Sequence, residues 1–184
     1  MRLDVYLVAS GKFKSRNKAA EAIKKGVVFV DGKVADKPSL GVDENSAVTV
    51  NEYDAFVSNG GYKLEKALND FNLSVENTVC ADVGASTGGF TERLLCGGAK
   101  KVYAIDVGES QLDESLLKDE RVKVIDNFNA RELSAQVLGE QVDVVTADVS
   151  FISLTLVLKP ISNVLKVGGI AVVLVKPQFE CGKK

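Results

Sequence analysis

The chain has 184 residues, 46% of them apolar and 26% charged, with 23 Lys and Arg against 25 Asp and Glu for a net charge of −2. That length holds one domain, or a small one joined to a medium one, and the mix is that of a chain able to bury a core, which excludes disorder as the main state. There is no histidine. Its absence excludes Ser-His-Asp triads, Cys-His dyads, histidine zinc motifs and imidazole general bases, so any proton transfer falls to Lys, Asp, Glu, Tyr or Cys.

Cys80, Cys96 and Cys181 are odd in number and far apart. The expectation is reduced thiols, with no disulfide framework and no metal site. No apolar run approaches the ~18–20 residues that span a bilayer. Arg2 and Asp4 interrupt what would be a signal peptide's apolar stretch, so a cytoplasmic protein without a membrane partner is expected. The small net charge hides an asymmetry. Residues 1–37 carry nine Lys and Arg against four acids, residues 38–60 carry four acids and no base, and the remainder is mildly acidic. A basic head on an acidic chain suggests that the head meets a polyanion.

Along the chain, Leu3, Tyr6 and Leu7 have helical spacing and predict a short helix over 1–10, ended by Gly11. Ser15 is placed to N-cap a second helix, Arg16–Lys25, with Ala19, Ala20 and Ile23 on one face and Gly26 as the stop. Val27–Val30 reads as a strand, Asp31-Gly32 as a hairpin turn into Lys33-Val34, and Ala47–Val50 as another strand. The order Arg2-Leu3-Asp4, Ser15-Arg16-Asn17-Lys18-Ala19, Gly26–Val34, Lys37-Pro38 resembles the S-four RNA-binding domain. In that family the second helix and the following loop present Ser, Arg and Lys to structured RNA. The resemblance implies Arg2, Lys14, Ser15, Arg16, Lys18 and Lys33 as RNA-binding residues. Cations and short donors suit the phosphates and 2′-hydroxyls of an A-form surface.

The Ser-Asn-Gly-Gly turn at 58–61 predicts a domain boundary, giving domains of 1–59 and 60–184. Beyond it, strands at Val79–Val83, Lys101–Asp106, Val122–Asp126, Val142–Asp148 and Ile170–Lys176 alternate with helical stretches, the first at Lys63–Asp70. Nearly unbroken β-branched strands of this kind predict an α/β fold, a parallel sheet covered on both faces. The first strand runs into Gly84-Ala85-Ser86-Thr87-Gly88-Gly89-Phe90, a tight turn that lets a ligand approach helix N–H groups. It has neither the G-x-G-x-x-G spacing of dinucleotide sites nor the Gly-Lys-Ser/Thr of a phosphate loop. Asp106 closes the second strand, where a carboxylate can take both hydroxyls of a ribose. Glycine loop and ribose acid together fit S-adenosylmethionine, an adenosine bearing a sulfonium rather than a pyrophosphate. Asp148 and Lys176 end two further strands and so line the crevice of an open parallel sheet, and Lys63 opens a helix within reach of it. Either Asp126 or Asn129, at or just past the third strand end, is positioned to meet the adenine.

Ser58–Leu64, the 82–90 loop, Asp106-Val107-Gly108, Asn129-Ala130-Arg131, Asp148–Leu154 and Val175–Glu180 recur together in one family. The sequence is similar to the TlyA family from Met1 to Lys184. This family, known both as hemolysin A and as ribosomal RNA methyltransferase, joins an S-four domain to an FtsJ-like methyltransferase domain. The resemblance implies a small α+β RNA-binding domain followed by a Rossmann-like domain, with ribosomal RNA or a ribosomal subunit as partner. It also implies a donor site built from Asp82, Gly84, Ala85, Ser86, Thr87, Gly88, Gly89, Phe90, Asp106, Val107 and Asn129. The family's Lys-Asp-Lys-Glu tetrad for 2′-O-methylation maps Lys63, Asp148 and Lys176 onto its first three positions. In that mapping Lys176 assists deprotonation of the hydroxyl, Asp148 holds that lysine, and Lys63 supports the group near the methyl donor. Asn59 stands where the family has Arg. The family's sheet has seven strands and five are counted here, so the last two strands and the closing Glu are expected to be missing, turnover to be weak and Ile170–Val175 to be an unpaired edge. A non-catalytic RNA-binding protein stays open as an alternative. A membrane-active hemolysin is disfavoured, because Arg16–Lys25 lacks a bulky apolar face.

Overall fold

The computed structural model describes residues 1–51 and 56–181, which form two compact units, Met1–Ala55 and Phe56–Lys184. In the first, α1 (Leu3–Ala9) and α2 (Arg16–Lys24) precede β1 (Val28–Val30), β2 (Lys33–Val34) and β3 (Val48–Val50). The strands make an antiparallel sheet in the order β2-β1-β3. The expected apolar positions do the packing: Leu3, Leu7, Ala19 and Ile23 are buried against Val28 and Val48. Ala22 joins them on α2 in place of the expected Ala20, which is only half-buried. Ser15 caps α2, its hydroxyl accepting the Lys18 N–H at 3.3 Å.

The second unit runs α3 (Gly60–Asp70), β4 (Val79–Val83), α4 (Gly89–Cys96), β5 (Lys101–Ile105), α5 (Glu114–Leu117), β6 (Val122–Ile125), α6 (Ala135–Leu138), β7 (Val142–Ala147), α7 (Thr155–Val164), β8 (Leu165–Val173) and α8 (Pro177–Glu180). Among the described residues the five strands form a parallel sheet in the order β6-β5-β4-β7-β8. All five residues of β4 are buried, as a central strand covered on both faces requires. Leu64 and Leu68 of α3 and Leu94 and Leu95 of α4 cover one face. Leu138, Val157 and Ile161 of α6 and α7 cover the other. Truncating any of these leucines to alanine is expected to cost about 2–5 kcal/mol.

The chain winds outward from β4 through β5 to β6, then returns to β7 and β8 on the opposite side. The reversal between β4 and β7 opens a crevice beyond the carboxyl ends of the strands, the ligand position of doubly wound sheets. One strand differs from its expected bounds by more than one residue. β8 starts at Leu165 and stops at Val173, rather than covering Ile170–Lys176. Gly168-Gly169, a turn signal on paper, lies inside the strand at a register irregularity opposite Val142–Val144, with Gly168 at φ +81°, as a β-bulge permits. β8 is the outermost strand on its side among the described residues, and Val167 and Ile170 are exposed along it.

Candidate active site

Three strand ends build the crevice. After β4 the chain turns at Gly84, φ +82°, where a Cβ would come within 3.0 Å of the Asp148 carbonyl oxygen. Only glycine lets the β4 and β7 loops run this close. Gly89 opens α4 under a similar constraint, since a Cβ there would lie 2.2 Å from Ser58 Oγ and 2.9 Å from the Gly61 nitrogen. The N-termini of α3 and α4 are thus drawn together beside the crevice.

Asp106 follows β5 and is fixed by two amides. Its Oδ2 accepts from Ser86 N–H at 2.7 Å and its Oδ1 from Gly108 N–H at 2.8 Å. A cavity of about 500 Å³ opens next to it, walled by Val107, Phe128 and Asn129 and reaching Asp148 and Phe151. Val107 is 75% exposed. Asn129 lines this cavity with its Oδ1 accepting from the Arg131 backbone at 3.1 Å and Nε at 3.2 Å. Asp126 instead receives the Ser110 N–H at 3.0 Å.

A second cavity of about 380 Å³ adjoins Gly84 and Ser86 and holds the three charged candidates. Asp148 lies between two lysines, its Oδ1 2.5 Å from Lys176 Nζ and its Oδ2 3.2 Å from Lys63 Nζ. The Lys176 and Asp148 side chains are each 18% exposed and Lys63 is 50% exposed. Lys176 lies three residues past the end of β8 and caps α8, yet its ammonium reaches the crevice and donates to Ser150 Oγ at 2.7 Å. Attraction in this half-shielded place is stronger than on an open surface.

Ala85, Thr87 and Phe90 of the loop also line the second cavity. Two expected donor-site residues are placed elsewhere. Asp82 is fully buried, with its carboxylate accepting Thr91 Oγ1–H at 2.8 Å and Thr146 Oγ1–H at 3.0 Å. Burial pushes its acid up to about 6 against the pull of those hydroxyls, and the charge of Asp148 adds to the rise. It ties β4 to β7 and α4 beneath the loop and lines neither cavity. Gly88, φ +96°, faces the Leu112 and Leu116 side chains, which a Cβ would strike.

Ser150 and Phe151 carry geometry that no spacing rule singles out. Phe151 is 92% exposed at the cavity mouth, with φ +63° in the left-handed region and its ring 5.4 Å from that of Phe179. A large aromatic held exposed in a costly backbone conformation is a mark of function. Glu180, close behind Lys176 in sequence, is engaged away from the lysines: it accepts from Ser153 Oγ at 2.6 Å and Leu154 N–H at 2.8 Å, bonds that hold its carboxyl below the usual range.

In the first unit Arg2, Lys14, Ser15, Arg16 and Lys33 are exposed and Lys18 is half-buried. Arg2, at the N-cap of α1, and Arg16, the first residue of α2, converge on Asp4. Among the described residues no helix is long and apolar enough to cross a membrane, and no cluster of three or more metal-ligating side chains occurs.

A doubly wound sheet with a glycine loop, a strand-end acid and a Lys-Asp-Lys array, preceded by a small domain with a basic N-terminal stretch, defines an FtsJ-like methyltransferase joined to an S4 domain. The FtsJ-like methyltransferase family model matches residues 56–184 and the S4 domain model residues 1–48. The chain belongs to the TlyA family, whose enzymes are methyltransferases, a class served by S-adenosylmethionine. It is 47% identical over 184 residues to 16S/23S rRNA (cytidine-2'-O)-methyltransferase TlyA of Mycobacterium tuberculosis, covering 99% of this chain and 69% of that protein. It is 44% identical to Hemolysin A of Brachyspira hyodysenteriae, covering 98% of this chain and 75% of that one. A solved Streptococcus thermophilus structure carrying the hemolysin name superposes with a TM-score of 0.68 at 42% identity, covering 100% of this chain and 68% of that one.

Proposed function

We propose that the chain methylates the 2′-hydroxyl of a ribose in ribosomal RNA, using S-adenosylmethionine, in the cytoplasm. The first unit grips the RNA and the second carries the reaction. The observation that carries this reading is Asp148 bound by Lys63 and Lys176 in a crevice whose other wall holds the Gly84–Phe90 loop and Asp106.

The residues fit the methyl donor. Asp106 is oriented by backbone amides and keeps lone pairs for the ribose hydroxyls. Val107 offers an apolar wall for adenine and Asn129 a polar edge. The donor supplies an electrophilic methyl group on a sulfonium. What the protein must add is a better nucleophile and its alignment.

Lys176 Nζ takes the proton of the ribose hydroxyl. Asp148 and Ser150 occupy two directions around its nitrogen and leave the lone pair for that proton. Asp148 then balances the ammonium formed, and Lys63, on its other oxygen, keeps the carboxylate in place. A general base of this kind contributes about 10²–10⁴-fold. Phe151, exposed at the mouth, offers a face on which the base of the target nucleotide stacks once drawn from its neighbours. Arg2, Lys14, Ser15, Arg16, Lys18 and Lys33 meet the RNA backbone.

The test is transfer of tritiated methyl from S-adenosylmethionine to ribosomal RNA and to ribosomal subunits, followed by alkaline hydrolysis. Ribose methylation blocks cleavage at the neighbouring phosphate, so the label should appear in alkali-resistant dinucleotides. Label released only as mononucleotides would mark base methylation and refute the proposal.

A further inference from the structure

Asp4 is 3% exposed, while the side chains of Arg2 and Arg16 around it are 52% and 57% exposed. Arg2 donates to it through Nε at 3.0 Å on Oδ1 and Nη2 at 3.2 Å on Oδ2. Arg16 donates through Nε at 3.1 Å and Nη2 at 2.8 Å, both on Oδ2. The Val5 amide donates to Oδ1 at 3.0 Å. The backbone beneath is fixed as well, with Leu3 N–H on the Leu40 carbonyl at 2.8 Å and Asp4 N–H on the Pro38 carbonyl at 3.1 Å. Hydrogen bonds from Arg2, then Arg16, hold the carboxyl down at about 2, so it stays charged at any physiological pH.

This arrangement is poorly suited to attracting RNA by charge alone. A carboxylate in the basic segment 1–37 lowers the positive field that draws a polyanion, and an acid serving only the start of α1 would need no arginine. Asp4 instead joins two guanidiniums, one from the N-cap of α1 and one from the first residue of α2, that would otherwise repel one another. Each arginine spends its Nε–H and one Nη2–H on the carboxylate, which fixes its plane and leaves the rest of its donor fork available. Two long cations ordered in advance lose less freedom when a phosphate arrives.

We propose that Asp4 is a positioning residue for RNA binding, holding Arg2 and Arg16 as one rigid phosphate-binding fork. The inference rests on the reading that these arginines meet RNA. It makes a prediction opposite in sign to simple electrostatics. Asp4→Asn raises the net charge by one, which charge alone would turn into tighter binding. Positioning requires weaker binding, by about tenfold, because the fork loses its anchor.

Binding of deproteinised ribosomal RNA to the full chain by fluorescence anisotropy at several salt concentrations tests this, with melting curves for each variant. Asp4→Asn and Asp4→Glu should both weaken binding, the second at unchanged charge because the carboxylate moves by one methylene. Should Asp4→Asn fail to fold, Asp4→Glu decides the matter. Unchanged or tighter binding by a folded Asp4 variant overturns the inference. Arg2→Ala with Arg16→Ala separates the two levels. If that double variant binds RNA normally, the reading of the RNA face fails. If it binds weakly while the Asp4 variants bind normally, positioning alone fails.

Discussion

Replacing Asp82 with asparagine should stabilise the protein at neutral pH and do almost nothing at pH 4. The buried acid is lifted from its ordinary 3.8 to about 6, a gap of roughly two pH units that corresponds to about 3 kcal/mol. Below pH 4 both folded and unfolded chains hold the proton, so the site costs nothing. As pH rises from 4 to 6 the unfolded chain releases it first, and stability is lost through that window. Above pH 6 the cost is constant. Asparagine does not titrate, and its amide can still meet both threonines, accepting from one hydroxyl and donating to the other. The advantage of Asp82→Asn should therefore grow from near zero at pH 4 to about 3 kcal/mol at pH 7. Native-state hydrogen exchange of the β4 amides, compared between the two proteins at each pH, reads this in the second unit alone. A pH-independent difference, or a variant less stable at pH 7, would refute the reasoning. Affinity for S-adenosylmethionine should stay within about threefold, because Asp82 lines neither cavity; a loss of more than about tenfold would restore it as a donor ligand.

Lys176→Met should lower the methyl-transfer rate by about 10²–10⁴-fold while leaving donor affinity intact, a separation that calorimetry beside a turnover assay resolves. Ser150→Ala removes a hydrogen bond to a charged group and should cost about 1.5–3 kcal/mol in kcat with little change in KM, with Ser150→Thr restoring much of the loss. Phe151→Ala should weaken productive RNA binding by about 1–3 kcal/mol, read in kcat/KM for ribosomal RNA and not in donor affinity.

Much of this architecture is legible in the residues. The β-branched runs at 79–83, 101–105 and 142–147 could only be buried strands, and their last positions placed Asp106 and Asp148 one residue past β5 and β7, at the crevice. Lys176 was reached for a less direct reason. Its strand ends three residues earlier, and the short turn into α8 still delivers the ammonium to Asp148. The start of β8 at Leu165 has no local mark, because only pairing with β7 carries the strand through the register irregularity around Gly168-Gly169. The family resemblance implies Asp82 as a donor contact. Its real partners, Thr91 and Thr146, come from α4 and β7, and no local pattern announces them. The exposure of Phe151 and the union of Arg2 with Arg16 at Asp4 depend likewise on tertiary geometry.

The most direct test of the account is calorimetric titration of this chain with S-adenosylmethionine, repeated on Asp106→Ala. The account predicts saturable binding by the parent chain and at least about a tenfold loss in the variant, since the carboxylate fixed by Ser86 and Gly108 is the ribose contact. No binding by the folded parent, or equal binding by both proteins, would contradict it.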